Sequence, residues 1–220
     1  MRDADNLRAV IKAGADMIGL VFYPQSPRCV KMVNSRSGLI PDRADADIND
    51  ISANEGKPSL VGVFVDDMPQ NIITRVVNFN LDYVQFHGDE TPELIQNLKS
   101  TIVPDIRKSL KIIKAISISS VSDIEKCSQY EGLVDMFLFD TRCDMAGGSG
   151  EKFDWTVLDA YHGNTPFLLS GGISIEDVDR IKAISHPQFA GVDINSKFET
   201  EPGLKDIDKV SAFIKAIQKC

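Results

Sequence analysis

The chain has 220 residues, of which 43% are hydrophobic and 25% charged, so it can form one large core and is unlike a disordered protein. The formal net charge of -8 and a pI near 4.9 argue against a general surface for nucleic acid or for an anionic membrane. They leave room for a local basic pocket that binds a small anion. We therefore expect a single domain, residues 1–220.

Cysteine usage predicts no metal or disulfide framework. The four cysteines lie far apart, form no C-x-x-C pair and have no histidine at metal-ligand spacing. No apolar run reaches the length of a membrane span, and the opening MRDADN contains no apolar signal-peptide core. These features predict reduced thiols and a cytoplasmic protein.

The first predicted element is a helix. Asp3 or Asp5 can cap it, and Gly14 can end it in a left-handed conformation. Its apolar residues recur at helical spacing: Leu7, Val10 and Ile11.

Seven short apolar runs then predict buried parallel strands. They are MIGLVFY (17–23), SLVGVFV (59–65), YVQFH (83–87), KIIKA (111–115), MFLFD (136–140), FLLS (167–170) and FAGVDI (189–194).

Segments with helical spacing separate most of these strands. Thr91 is a predicted N-cap, Ser174 and Asp177 resemble a capping box, and Asp206 can cap a last helix. One amphipathic stripe is expected to comprise Ile72, Ile73, Val76 and Val77. The stretch 34–56 is expected to be a loop in its first half and a polar helix over residues 44–53.

The spacing of strands and helices predicts a (β/α)8 TIM barrel of the α/β class. An open doubly wound sheet is the alternative, but no G-x-G-x-x-G or P-loop motif follows any strand. Counting one strand per helix leaves the first helix without a preceding strand. The expectation is therefore a single (β/α)8 domain over 1–220 that lacks its first strand and is truncated at the N-terminus.

Active sites of such barrels lie at the carboxyl ends of the strands, so polar residues there are the candidates. Arg28, in FYPQSPR, can bind a carboxylate with two hydrogen bonds. His87, in VQFHGDE, can bind a substrate or exchange a proton. The alternatives are a surface arginine in a turn and a histidine packed at the rim.

Asp140 ends the apolar run MFLFD and precedes a glycine-rich loop, GGSG at 147–150. A carboxyl group buried against apolar neighbours has a raised pKa and can act as an acid near neutrality. Glycines allow the backbone to approach a ligand, or a lid to move. The alternative is that Asp140 only caps the following turn.

The loops after the last two strands, LLSGGIS and VDINSKFETEPGLKD, predict a phosphate site. Amides around Gly171, Gly172, Asn195 and Ser196, with a short helix N-terminus, would form the cradle. The alternative is that these residues only make tight turns.

With these five motifs in order over nearly the whole chain, the sequence resembles the phosphoribosylanthranilate isomerases of tryptophan biosynthesis. The resemblance implies a (β/α)8 enzyme that performs an Amadori rearrangement of N-(5-phosphoribosyl)anthranilate to 1-(2-carboxyphenylamino)-1-deoxyribulose 5-phosphate. It implies no cofactor and no metal, and a monomer or homodimer.

The resemblance also implies roles for the candidate residues. Asp140 matches the general acid that protonates the furanose ring oxygen, and Arg28 matches the residue that holds the anthranilate carboxylate. His87 and Asp193 match polar residues that line the site. The phosphate-binding positions correspond to Gly171, Gly172, Asn195 and Ser196.

One departure concerns the start of the chain. The family begins with a strand of the pattern Lys, Ile or Val, Cys, Gly, whose cysteine is the general base, and MRDADN aligns just after it. We therefore expect the general base to be absent and the activity of the chain as written to be impaired. Two other functions stay open: a different phosphosugar barrel enzyme, and a phosphosugar-binding paralogue without catalysis.

Overall fold

A computed structural model of the chain describes residues 1, 3–35, 38–41, 58–140 and 154–218. Its strands, in chain order, are β1 (Met17–Val21), β2 (Met32–Ser35), β3 (Gly38–Pro41), β4 (Ser59–Phe64), β5 (Tyr83–Phe86), β6 (Lys111–Ser117), β7 (Met136–Asp140), β8 (Phe167–Ser170), β9 (Phe189–Val192), β10 (Glu199–Glu201) and β11 (Leu204–Lys205).

Helices follow most of the strands of the main sheet. The α-helices are α1 (Ala4–Lys12), α2 (Pro69–Asn78), α3 (Pro92–Asp105), α4 (Val121–Ile124), α5 (Val178–Lys182) and α6 (Ile207–Gln218). Short 3-10 helices span Glu125–Gln129, Trp155–Ala160, Ile175–Asp177 and Ser196–Phe198. None of the helices in the described ranges is long and apolar enough to cross a membrane.

The main sheet has seven parallel strands in the order β1-β4-β5-β6-β7-β8-β9. All seven predicted strands are therefore confirmed. The order follows the chain without reversal, as in a barrel, whereas a doubly wound sheet reverses its order at a switch point. Within the described residues, β1 pairs with only one other strand of this sheet, β4, and β9 only with β8.

Both faces of the sheet are covered, which explains why the strands read as continuous apolar runs. One face carries a compact cluster of smaller side chains, namely Val61, Ile113, Ala115 and Leu138. The other packs large aromatic side chains beneath the helices, among them Phe22, Phe64, Phe86, Phe137, Phe139 and Phe167. Phe139 stacks on Phe167, with their ring centroids 4.6 Å apart. This packing fixes β7 and β8 relative to each other.

The predicted caps are confirmed. The Asp3 carboxylate accepts from the amide of Asn6 at 2.7 Å, and the Thr91 hydroxyl accepts from the amide of Leu94 at 3.3 Å. Ser174 and Asp177 form a capping box, and Asp206 accepts from the amide of Lys209. The Gly14 φ of +96° confirms the left-handed end of α1.

Two local predictions were wrong. The first half of 34–56 was expected to be a loop, but β2 and β3 pair there as an antiparallel hairpin. Such a two-strand ribbon carries too few residues for the period-two pattern to stand out. The expected helix over 44–53 lies outside the described residues. The second wrong prediction concerns the apolar stripe of α2. Ile72 and Val76 are buried, but Val77 is 58% exposed, because it lies at the edge of the stripe and points away from the sheet.

The cap of α3 provides a test of how the helices are fixed on the sheet. Replacing Thr91 with Ala removes the acceptor for the Leu94 amide and should lower the free energy of unfolding by about 1 kcal/mol in urea titrations. Thr101→Ala, on an exposed position of the same helix, should change it by less than about 0.5 kcal/mol. Equal effects of the two substitutions would contradict the capping role.

Candidate active site

The candidate site lies along the carboxyl edge of the main sheet. The parallel register sets Asp140 at the end of β7 beside Ser117 of β6 and Ser170 of β8. The amide of Asp193, just after β9, donates to the Leu169 carbonyl at 2.8 Å. Neighbouring strand ends therefore carry Asp140, Ser170 and Asp193 side by side.

Asp140 is buried and faces a histidine. Its side chain is only 5% exposed, and its Oδ2 lies 3.4 Å from the His87 Nε2. The Nδ1 on the other side of the ring lies 2.9 Å from Nε2 of the Gln85 side-chain amide. Since an amide nitrogen only donates, this arrangement leaves the proton of a neutral imidazole on Nε2, facing Asp140. The predicted acid and the predicted histidine therefore lie together. The glycine-rich loop 147–150 is outside the described residues.

The two loops of the predicted phosphate cradle are neighbours. Gly171 and Gly172 adopt φ values of +103° and +64°, which other residues rarely adopt. Asn195 and Ser196 begin the turn after β9, the strand that pairs with β8. The Ser170 hydroxyl donates to Asp193 Oδ2 at 3.0 Å and ties the two loops together. The expected helix N-terminus is only the three-residue 3-10 turn Ser196–Phe198. The residues of the predicted cradle thus lie in loops and in this short turn.

Arg28 is held by a glutamate that the sequence did not suggest. Its Nε lies 3.0 Å from Glu199 Oε1, and its Nη2 lies 2.5 Å from Oε2. Glu199 Oε1 also accepts from the Gly203 amide at 3.1 Å and from Lys205 Nζ at 3.3 Å. The Lys205 ammonium in turn contacts Asn195 Oδ1 at 2.9 Å. One carboxylate therefore connects the arginine after β1 with the loop after β9.

Burial and charge act in opposite directions on this network. Burial alone would raise the pKa of Glu199, but hydrogen bonds and charges from Arg28, Lys205 and the Gly203 amide bring the pKa below its usual value. Burial lowers the pKa of Lys205, and this effect outweighs the opposing charges of Glu199 and Asp193. The carboxylate is stabilised in its ionised form by the two cations.

Gln85, Glu199 and Lys205 were missed as members of the site. The alternation of YVQFH puts Gln85 on the same side of the strand as His87, so that spacing could have identified it. In the sequence, Glu199 and Lys205 are two charged residues of a polar loop, with no pattern that indicates a site. They face each other only because β10 and β11 pair them across a hairpin.

Groups of three or more His, Cys, Asp or Glu side chains that could hold a metal ion do not occur among the residues that the structure describes.

The class of protein follows from two features. The parallel strands follow one another in chain order, and polar side chains lie at their carboxyl edge. The protein has the fold of the TIM-barrel enzymes.

Sequence comparison identifies the family. The sequence model of the N-(5'-phosphoribosyl)anthranilate isomerase family matches residues 1–216, so the chain belongs to this family. It is 42% identical over 217 residues to the N-(5'-phosphoribosyl)anthranilate isomerase of Parabacteroides distasonis, an alignment that covers 99% of this chain and 90% of the relative.

Solved structures agree. A phosphoribosylanthranilate isomerase in complex with reduced 1-(o-carboxyphenylamino)-1-deoxyribulose 5-phosphate is similar with a TM-score of 0.74 and 25% identity, covering 100% of this chain and 96% of that one. A structure of monomers generated from the dimeric Thermotoga maritima enzyme has a TM-score of 0.72 and 27% identity, with the same coverage. The predictions of the family, of a TIM-barrel fold and of an isomerase are confirmed.

The Glu199 network predicts a pH dependence of stability. Because the folded-state pKa of Glu199 lies below its ordinary value of 4.5, its stabilising contribution is complete above pH 4.5 and is lost as the pH falls through the folded pKa. The free energy of unfolding should therefore differ between the wild type and Glu199→Gln by a constant amount from pH 8 to about pH 5, and by less in more acidic solution. Urea titrations across this range check this. A difference that grows on acidification would contradict it.

Proposed function

We propose that Asp140 is the general acid of an Amadori rearrangement that converts N-(5'-phosphoribosyl)anthranilate into 1-(2-carboxyphenylamino)-1-deoxyribulose 5-phosphate. The observation that carries the proposal is a buried carboxyl group between His87 and the adjoining loops of Gly171–Gly172 and Asn195–Ser196. A sugar with its phosphate in those loops would present its ring to Asp140.

In the proposed reaction, Asp140 gives a proton to the furanose ring oxygen, and the bond from this oxygen to C1 breaks. The ring opens to a Schiff base between C1 and the anthranilate nitrogen. A base then removes the proton from C2, and the resulting enolamine tautomerises to the ketone. The His87 ring, 3.4 Å from Asp140 and held by Gln85, orients the acid and binds the substrate.

Binding uses the two ends of the substrate. Arg28 holds the anthranilate carboxylate through charge-assisted hydrogen bonds. Asp193, fixed by Ser170, lines the sugar site. The phosphate is bound by amides of Gly171, Gly172, Asn195 and Ser196.

We further propose a cytoplasmic protein of one domain, residues 1–220, that uses no cofactor and no metal. Its partner is the small phosphosugar substrate, with no nucleic acid and no membrane, and it forms a monomer or a homodimer. The acidic composition supports the absence of a nucleic-acid partner. The dimeric Thermotoga maritima enzyme is a precedent for the homodimer.

We propose that Cys29 is not the general base. Burial raises the pKa of its thiol, which disfavours the thiolate, and its Sγ lies against the Val30 carbonyl.

The acid is tested by Asp140→Asn. Removing the proton donor should lower kcat by at least ~100-fold. The affinity for the reduced product analogue, reduced 1-(o-carboxyphenylamino)-1-deoxyribulose 5-phosphate, should stay within about twofold because the amide keeps the shape of the site. Asp159→Asn, an exposed position, is the matched control. If Asp140→Asn retains turnover, the acid is assigned wrongly. If the wild type binds the analogue without turnover, it is a binding protein.

A further inference from the structure

The contact between Arg28 and Glu199 uses one defined edge of the guanidinium. Nε donates to both oxygens of the carboxylate, at 3.0 Å to Oε1 and 2.9 Å to Oε2, and Nη2 donates to Oε2 at 2.5 Å. A guanidinium has a second edge, formed by Nη1 and Nη2, that can bind another carboxylate in the same way. The Arg28 side chain remains 23% exposed, whereas that of Glu199 is only 4% exposed. The carboxylate therefore lies on the inner side of the arginine.

Glu199 is fixed by contacts that do not depend on Arg28. The Gly203 amide and Lys205 Nζ both reach its Oε1, and Glu199 pairs with Lys205 across the β10–β11 hairpin. The hairpin is itself attached to α1, because Asn6 exchanges two hydrogen bonds of 2.8 Å with the backbone of Lys205. A carboxylate held in this way is part of the scaffold and is poorly suited to leave when a ligand arrives.

We propose that Glu199 is a positioning residue, which holds the Nε–Nη2 edge of Arg28 so that the Nη1–Nη2 edge faces the carboxylate of the substrate. The inference rests on the proposed function in one respect, namely that Arg28 binds that carboxylate. It adds a residue that selects for carboxylated substrates without touching them.

The network also couples the two ends of the substrate site. Lys205 bonds to Glu199 and to both the carbonyl and the side-chain oxygen of Asn195. Without the negative charge of Glu199, Arg28 and Lys205 would repel each other across a largely buried space. Arg28 would then leave its position, and the selection for a carboxylate would be lost first.

Binding to the 220-residue protein tests the proposal with two probes: the reduced product analogue and its counterpart that lacks the carboxylate on the aromatic ring. In calorimetry the wild type should prefer the carboxylated probe. Glu199→Gln should weaken binding of the carboxylated probe by about tenfold, the loss of one well-placed charged contact, and change binding of the other probe by less than about twofold. Glu201→Gln, the same substitution at an exposed position of the same strand, should keep the preference.

Equal weakening of both probes in Glu199→Gln would overturn the proposal and indicate a general structural role. Tighter binding of the carboxylated probe would also overturn it, since Glu199 would then be a competitor for Arg28. Both outcomes leave the proposed function intact. Failure of the wild type to bind either probe would contradict the proposed function.

A second measurement tests separately whether Glu199 holds Arg28. It is the rate at which the Arg28 Nε proton exchanges with water, measured by NMR in the absence of ligand. Slow exchange in the wild type and in Glu201→Gln, with exchange at least tenfold faster in Glu199→Gln, supports it. The same rate in all three proteins would overturn it.

Discussion

The parallel register of the main sheet is the constraint on which the site depends. Because β7 pairs with β6 and β8 in register, the backbone of Asp140 is fixed between Ser117 and Ser170. Asp140 then has apolar packing below it and the strand-end loops beside it. Its burial follows from its place at the end of a covered strand, and the short contact with His87 follows from two strands ending at the same edge.

The polar part of the site depends on satisfying buried charges. Glu199 would be costly to bury alone, and it is stabilised by two cations and one amide. The same contacts hold the loop after β1 against the hairpin after β9, which are far apart in the chain. If Arg28 binds the substrate as proposed, stability and ligand geometry share one set of interactions around it, so a substitution at Glu199 is expected to affect both.

The sequence predicted the parts of the molecule that depend on local patterns. The seven apolar runs identified the strands, Thr91 and Asp206 marked helix starts, and their order placed Asp140 and Gly171 at one edge. It did not predict contacts set by pairing between distant segments. Glu199 meets Arg28 across 171 positions of the chain, and no spacing rule connects two such residues. Val77 was misplaced because apolar character alone does not tell which side of a helix meets the sheet.

A crystal structure of the protein with the reduced product analogue bound would be the most direct measurement of the site. The phosphate should lie on the amides of Gly171, Gly172, Asn195 and Ser196, with the sugar oxygen within hydrogen-bonding distance of Asp140 and the aromatic carboxylate on Arg28. An analogue bound with its phosphate away from these loops, or with Asp140 out of reach of the sugar, would contradict the assignment of the active site.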